Sequence, residues 1–206
     1  MGIDFPLLNE RLMAILGAEK LWSSLYMDRD KVVKLIEKLV DYHLGIVDGY
    51  ASVGVDAIWF SDDWGTQTGL FIKPEIWREV FKPWYKKVFD YVHEKGLKVF
   101  FHCRGKITPI IPDLVEIGVD VLHLGNSYLM NIEEIVENFR GKICFFGGID
   151  VQELPKLSPK EVEQMVKRAF EIFSSPEGGF IIGPTNSITP DTPLENIKAM
   201  CLTIKK

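Results

Sequence analysis

The chain of 206 residues has a formal net charge of −5, and 47% of its residues are hydrophobic while 26% are charged. These values are ordinary for a soluble globular protein with one sizeable core, so we expect a single domain over residues 1–206. The basic residues are spread along the chain and not grouped, which argues against nucleic acid or an anionic membrane as a partner.

Targeting and redox signals point to the cytoplasm. No apolar run approaches the ~20 residues of a membrane-spanning helix, and the N-terminus lacks the basic start and cleavage site of a secretory signal. The three cysteines, Cys103, Cys144 and Cys201, are widely spaced and form no CxxC pair. An odd number of such cysteines is typical of a reducing compartment.

Residues 1–50 are predicted to be helical. The stretches LNERLMAILG and DRDKVVKLIEKLVDYHLGIVDGYASVG place apolar residues at spacings of three and four, which is the period of an amphipathic helix. We therefore assign residues 1–50 to N-terminal helices and residues 51–206 to βα units.

Five short apolar segments rich in β-branched and aromatic residues predict strands. They are VDAIWFSDDWG (55–65), LKVFFHCRG (97–105), VDVLHLGN (119–126), KICFFGGID (142–150) and GGFIIGPTN (178–186). Helix-period stretches separate most of them, and one opens with Ser158 as an N-cap and Pro159 at the first helical position. This alternation predicts an α/β fold with a parallel sheet, either an open doubly wound sheet or a (β/α) barrel.

Polar residues follow each predicted strand. Ligands of parallel α/β folds bind outside the carboxyl ends of the strands, so these residues are the candidates for a site. The candidates are Asp62, Asp63, His102, Arg104, His123, Asp150 and Asn186.

Several of these residues also have a structural interpretation. Asp62 or Asp63 can cap a helix by accepting backbone N–H bonds. Consecutive strand residues point to opposite faces, so only one of His102 and Cys103 is expected to face a site. Cys103 is the better candidate for packing because free cysteine behaves as a small hydrophobe. His123 lies in an apolar run and is also explained as a hydrogen-bonded core histidine.

Four motifs, in their order and spacing, resemble the uroporphyrinogen decarboxylase superfamily. The motifs are GVDAIWFSDDWGTQTGLFIKPEIW (54–77), FHCRGKITPIIPDLVEIGVDVL (101–122), FFGGIDVQELPKLSPKEV (145–162) and GGFIIGPTNSITPDTPLENIKAM (178–200). That superfamily includes the decarboxylase of tetrapyrrole synthesis and corrinoid-dependent methyltransferases. The similarity runs over nearly the whole chain.

The resemblance implies a partial TIM-type (β/α) barrel in which this chain corresponds to about strands 4–8. A barrel with a missing side exposes strand edges and an apolar interior that must be covered. Either the chain is a fragment, a partner supplies the missing strands, or the chain rearranges into an open doubly wound sheet. Family members often pair, so we expect a homodimer or a partner that supplies the missing strands.

The methyltransferase branch implies a zinc ion held by a His-x-Cys motif and a later cysteine. His102 matches the histidine and is the metal ligand that the resemblance implies, with zinc as the cofactor. Arg104 and Asn186 stand at the two cysteine positions. Losing two thiolates argues against zinc unless Asp62, Asp63 or His123 replaces them.

The resemblance favours a methyltransferase-like enzyme that acts on a corrinoid-linked or small anionic substrate. Asp62, Asp63 or His102 is expected to be catalytic, and Arg104 to orient the anion, because guanidinium binds carboxylate or phosphate through two hydrogen bonds. The other substrate-binding candidates are His123, Asp150 and Asn186. The alternatives are a uroporphyrinogen decarboxylase, although Asp62 in place of that branch's serine would repel an acidic substrate, and a non-catalytic tetrapyrrole-binding or accessory subunit.

Overall fold

The computed structural model describes residues 1–205. The strands are β1 (Gly2–Asp4), β2 (Ala57–Ser61), β3 (Lys98–Cys103), β4 (Val121–Leu124), β5 (Cys144–Ile149) and β6 (Phe180–Pro184). The α-helices are α1 (Asn9–Leu16), α2 (Ala18–Met27), α3 (Arg29–Ser52), α4 (Pro74–Ile76), α5 (Lys82–Glu94), α6 (Ile111–Glu116), α7 (Ile132–Phe139), α8 (Pro159–Phe173) and α9 (Leu194–Ile204). A π-helical segment, Trp77–Phe81, joins α4 to α5.

The strands form a six-stranded sheet in the order of the chain, β1-β2-β3-β4-β5-β6. Parallel pairing joins β1 to β2, β2 to β3, and β5 to β6. The predicted parallel α/β class is therefore confirmed, and each of the five apolar segments contains a strand. This sheet is consistent with part of a TIM-type barrel and with an open sheet.

The N-terminal region differs from the prediction at its start. Residues 1–50 contain helices α1 and α2 and most of α3, but Gly2–Asp4 is a strand that pairs in parallel with Ile58–Phe60 of β2. The all-helical prediction was wrong there because three residues are too few to show a period. Their conformation depends on a partner strand more than fifty residues later in the chain.

The chain divides into two compact units, which are Met1–Val121 and the part from Leu122 onward. The core of the first unit lies between its strands and helix α5. Phe60 of β2 and Phe101 of β3 are register partners, and both rings contact Phe89 of α5 at centroid distances of 5.7 Å. Because strand side chains alternate, the neighbours Ser61 and His102 point to the other face of the sheet.

The second unit has a core of its own between β5 and helices α8 and α9. Its buried members are Ile149, Leu154, Val162, Val166, Ala169, Ala199 and Met200. Helix α8 begins as its sequence predicts: the Ser158 hydroxyl accepts the backbone N–H of Glu161, and the Glu161 carboxylate accepts the N–H of Ser158. This reciprocal capping satisfies two backbone donors that the first helical turn leaves open.

Within residues 1–205, none of the helices combines the length and the apolar character that crossing a bilayer requires.

Candidate functional site

The segment Asp62-Asp63-Trp64-Gly65 follows β2 in the first unit. Pairing with the chain after β3 continues through it, because the N–H of Asp62 donates to the carbonyl of His102 and the N–H of Gly65 donates to the carbonyl of Arg104, both at 3.0 Å. The loops that follow two adjacent strands are therefore held side by side. Each of the four residues makes different contacts there.

Asp62 anchors the beginning of helix α1. Its carboxylate accepts the backbone N–H groups of Leu8 at 2.6 Å, Asn9 at 2.7 Å and Glu10 at 2.9 Å, and the side chain is fully buried. These N–H groups have no partner within the helix, and the positive end of the helix dipole favours a carboxylate. The sequence-based alternative of a helix cap thus describes Asp62, but the helix is α1 and not the one that follows β2.

A chain of hydrogen bonds supports Asp62 from the core. The Trp64 indole N–H donates to the Tyr85 hydroxyl at 2.8 Å, and that hydroxyl donates to the Asp62 carboxylate. Burial raises the pKa of Asp62 to about 6, although Tyr85 and the three backbone donors oppose the shift. Burial and the nearby Asp62 charge raise the pKa of Tyr85 well above its usual value, so Tyr85 stays a donor.

Two glycines allow the loops after β2 and β3 to cross at close range. A Cβ atom on Gly65 would lie 2.6 Å from the carbonyl carbon of Gly105, and one on Gly105 would lie 2.2 Å from the carbonyl carbon of Gly65. Gly105 also has a φ of 84°, in the left-handed region that favours glycine. This crossing brings Asp63 and Arg104 together.

Asp63, Arg104 and His102 form the polar centre of the site. The Asp63 carboxylate accepts Arg104 Nε at 2.6 Å and the backbone N–H of Arg104 at 2.9 Å. His102 Nε2 lies 3.9 Å from the same carboxylate, and both side chains are about seven-eighths buried, at 13% and 14% exposure. The Arg104 side chain is 48% exposed even though Asp63 holds its Nε.

Glu10 joins this group from the first turn of α1 and was not among the sequence candidates. Its backbone N–H donates to Asp62 Oδ1 at 2.9 Å, and its half-buried carboxylate lies near the backbone N–H of Asp63. Burial, followed by the negative charges of Asp63 and Asp62, raises its pKa to about 7 against the weaker effect of Arg104. Like the other candidates, Glu10 follows a strand by a few residues. That strand, β1, was not predicted from the sequence, so Glu10 was missed.

Cys103 lies on the opposite face of β3 from His102. It is fully buried on the helix side of β3, and burial raises the pKa of its thiol well above the usual value. The expectation that His102 rather than Cys103 faces a site agrees with this placement.

His123 lies in β4 of the second unit and is 5% exposed. Its Nε2–H donates to the carbonyl of Pro184 at 3.1 Å, and its ring stacks on Phe146 with centroids 4.4 Å apart. These contacts are those of a hydrogen-bonded core histidine, which was the structural interpretation of the sequence.

Asp150 and Asn186 follow β5 and β6 of the second unit. The Asp150 carboxylate accepts the N–H of Gln152, and the Asn186 side-chain oxygen accepts the N–H of Ser187, each at 2.8 Å. Both contacts are local and shape the turns that leave the strands. A role for these two residues in substrate binding remains a prediction.

The donor set does not fit zinc. Among residues 1–205, no group of three His, Cys, Asp or Glu side chains is arranged to hold a metal ion. Near His102, the position that the resemblance reserves for a thiolate is occupied by the cation Arg104, which is bonded to Asp63. Zinc requires anionic or neutral ligands, so a guanidinium in that place opposes it. The chemistry available here is anion binding and proton exchange.

Comparison with known proteins places this chain in a family. The family model described as uroporphyrinogen decarboxylase (URO-D) matches residues 12–206. A curated relative, the uroporphyrinogen decarboxylase of Anaeromyxobacter sp. (strain Fw109-5), is 25% identical over 186 residues. That match covers 89% of this chain and 50% of the relative, so the chain spans about half the length of that relative.

Two solved structures resemble the fold. A methyltransferase from Methanosarcina mazei superposes with a TM-score of 0.80 and 17% identity, over 97% of this chain and 56% of its own. An N-acetylneuraminic acid synthetase from Leptospira borgpetersenii serovar Hardjo-bovis gives a TM-score of 0.50 and 18% identity, over 81% of this chain and 57% of its own. At these identities the likeness concerns the fold.

Proposed function

Because the chain belongs to the uroporphyrinogen decarboxylase family, we propose that it is a methyltransferase-like enzyme that acts on a corrinoid-linked or small anionic substrate. The observation that carries this proposal is the half-exposed side chain of Arg104, whose Nε is held by Asp63 beside His102. The fold likeness to a methyltransferase supports the choice of reaction.

Arg104 is suited to orient an anionic group. Asp63 holds its Nε, so the planar guanidinium has a fixed direction before a ligand arrives. No residue among 1–205 is seen to accept a hydrogen bond from its two terminal nitrogens, and a carboxylate, sulfonate or phosphate can accept both of them at once. A preset orientation lowers the entropic cost of binding.

In the proposed reaction a methyl group passes from cobalt of a methylated corrinoid to the sulfur of an anionic thiol. The carbon–cobalt bond breaks with its electron pair left on cobalt, and the thiolate forms the new carbon–sulfur bond. His102 accepts the thiol proton, and the Asp63 carboxylate 3.9 Å away stabilises the resulting imidazolium. Asp62 acts as a positioning residue, because all its hydrogen-bonding contacts hold α1 and Tyr85.

A uroporphyrinogen decarboxylase is the second candidate, and the name of the curated relative favours it. The carboxyl groups of Glu10 and Asp63 near Arg104 oppose it, since the substrate of that reaction carries several carboxylates of its own. A non-catalytic subunit that binds a tetrapyrrole is the third candidate. Visible absorption bands in the purified protein would support that third function.

We also propose that the sheet belongs to a partial TIM-type barrel that a second copy or another chain completes. The strand order, which follows the chain without a reversal, supports a barrel because doubly wound sheets reverse their order at a switch point. A defined dimer in sedimentation analysis would support completion by a second copy, and a monomer at all concentrations would contradict it. A defined complex with another chain would support the other form of the assembly.

The reaction is tested by anaerobic incubation with methylcobalamin and 2-mercaptoethanesulfonate. We expect the methylcobalamin spectrum to disappear while the methyl thioether forms, and Arg104→Ala to raise the KM for the thiol about tenfold or more, equivalent to about 1.4 kcal/mol or more. Arg168→Ala, which removes an exposed arginine of α8, is the matched control. Carbon dioxide release from uroporphyrinogen without methyl transfer would assign the decarboxylase function instead.

A further inference from the structure

The polar centre of the first unit contains more negative than positive charge. Two carboxyl groups, those of Glu10 and Asp63, lie near one guanidinium, Arg104, and the Asp62 carboxylate lies near Glu10. An anion that binds Arg104 would add a further negative charge to this half-buried group. Such an arrangement is unfavourable unless a proton enters with the anion.

The hydrogen bonds show which carboxyl group is able to take that proton. The Asp62 carboxylate accepts hydrogen bonds from three backbone N–H groups and from the Tyr85 hydroxyl. The Asp63 carboxylate accepts them from the side chain and the backbone N–H of Arg104. Protonating either of them would remove an acceptor from donors that are already bonded. Glu10 lies beside them, since its backbone N–H donates to Asp62 Oδ1 at 2.9 Å, and the backbone N–H of Asp63 is the one donor seen near its half-buried carboxyl group among residues 1–205, which leaves an oxygen for a proton.

We infer that Glu10 binds a proton whenever an anion binds at Arg104, so that the site takes up an anionic substrate and a proton together. This inference rests on the proposed anion site and specifies its ligand class as an anion accompanied by a proton. His102 remains the residue that exchanges a proton with the substrate, while Glu10 balances the charge.

The surroundings of Glu10 favour this role near neutral pH. Burial and the charges of Asp63 and Asp62 raise its pKa to about 7, so a further negative charge at Arg104 shifts the group to its protonated form. The titratable and charged groups that face it or contact its neighbours come from three other elements of the first unit. They are Asp62 and Asp63 after β2, His102, Cys103 and Arg104 at the end of β3, and Tyr85 of α5.

The test uses sulfate, an anion that does not titrate near neutral pH. Calorimetric titrations at about pH 8, in buffers with different ionisation enthalpies and at constant ionic strength, give the protons taken up per sulfate bound. For the wild type we expect about one proton per sulfate, and an affinity that falls by up to about tenfold per pH unit above neutrality. Glu10→Gln should still bind sulfate but without this uptake.

Glu19→Gln is the matched control, since Glu19 is an exposed glutamate in the first turn of α2. Sulfate binding that depends on Arg104 but takes up no proton would overturn the inference and leave the anion site standing. Uptake that survives Glu10→Gln and is lost in His102→Gln would assign the proton to the histidine and also overturn it. No sulfate binding by the wild type would overturn both. If Glu10→Gln fails to fold, His102→Gln decides the matter: proton uptake retained in that variant supports the inference, and uptake lost in it overturns the inference.

Discussion

The carboxylate of Asp62 accepts the backbone N–H of Asn9 at 2.7 Å, across 53 residues of sequence. Helix α1 therefore begins on a carboxylate supplied by the loop after β2. The same first turn carries Glu10 into the polar centre beside Asp63. The geometry of the candidate site thus depends on a residue that does not face the ligand.

Asp62→Asn is expected to lower the free energy of unfolding by about 2–4 kcal/mol, because an amide nitrogen replaces one acceptor and leaves buried donors unsatisfied. Chemical denaturation at pH 7 measures this change. Asp191→Asn, at an exposed aspartate, serves as the control and should change stability little. Equal stability of the two variants would contradict the anchoring role.

Gly65→Ala is expected to lower the free energy of unfolding by about 1–3 kcal/mol or more. The new Cβ would lie 2.6 Å from the Gly105 backbone and force the two loops apart. Gly69→Ala in the same loop is the matched control, because a Cβ there meets nothing within 4 Å. Anion affinity should fall in Gly65→Ala only, since only this crossing holds Asp63 against Arg104. If both alanine variants behaved alike, the close crossing would not be needed.

Stability should decrease as the pH rises from about 4.5 to about 7. The pKa of Glu10 is raised from 4.5 to about 7 in the folded protein, so in this window the unfolded chain binds fewer protons than the native one, and the free energy of unfolding falls. Because Glu10 is partly exposed, we expect about 1–2 kcal/mol of this change to come from it. Urea unfolding at pH 5 and pH 8 measures the change.

Glu10→Gln should remove that part of the pH dependence and leave the part due to Asp62, whose raised pKa of about 6 acts in the same direction at lower pH. Glu19→Gln should leave the whole profile unchanged. A profile in Glu10→Gln identical to that of the wild type would show that Glu10 titrates normally.

His123→Phe separates a core histidine from a substrate-binding one. The new ring retains stacking on Phe146 and loses the hydrogen bond to Pro184, so we expect a loss of about 1 kcal/mol in stability and unchanged sulfate affinity. Thermal unfolding and calorimetry measure the two quantities. Normal stability with weakened anion binding would place His123 in the binding site.

Some features of the molecule follow from short stretches of sequence. The five apolar segments predict β2 to β6 because their β-branched and aromatic composition is local. Ser158 and Pro159 mark the start of α8 because a cap acts within one helical turn. The alternation of strand side chains places His102 and Cys103 on opposite faces.

Other features exist only in the folded chain. The strand β1 is too short to be recognised without its partner β2, and nothing near Asp62 in sequence indicates that it holds the N-terminus of α1. The raised pKa of Glu10 likewise depends on burial and on carboxylates more than fifty residues away in the sequence. The sequence by itself determined the strands, the α8 cap and the family, because periodicity, capping and motif order are local or linear properties. The tertiary structure decided the roles of Asp62 and Glu10, because long-range hydrogen bonds and desolvation arise only when distant segments pack together.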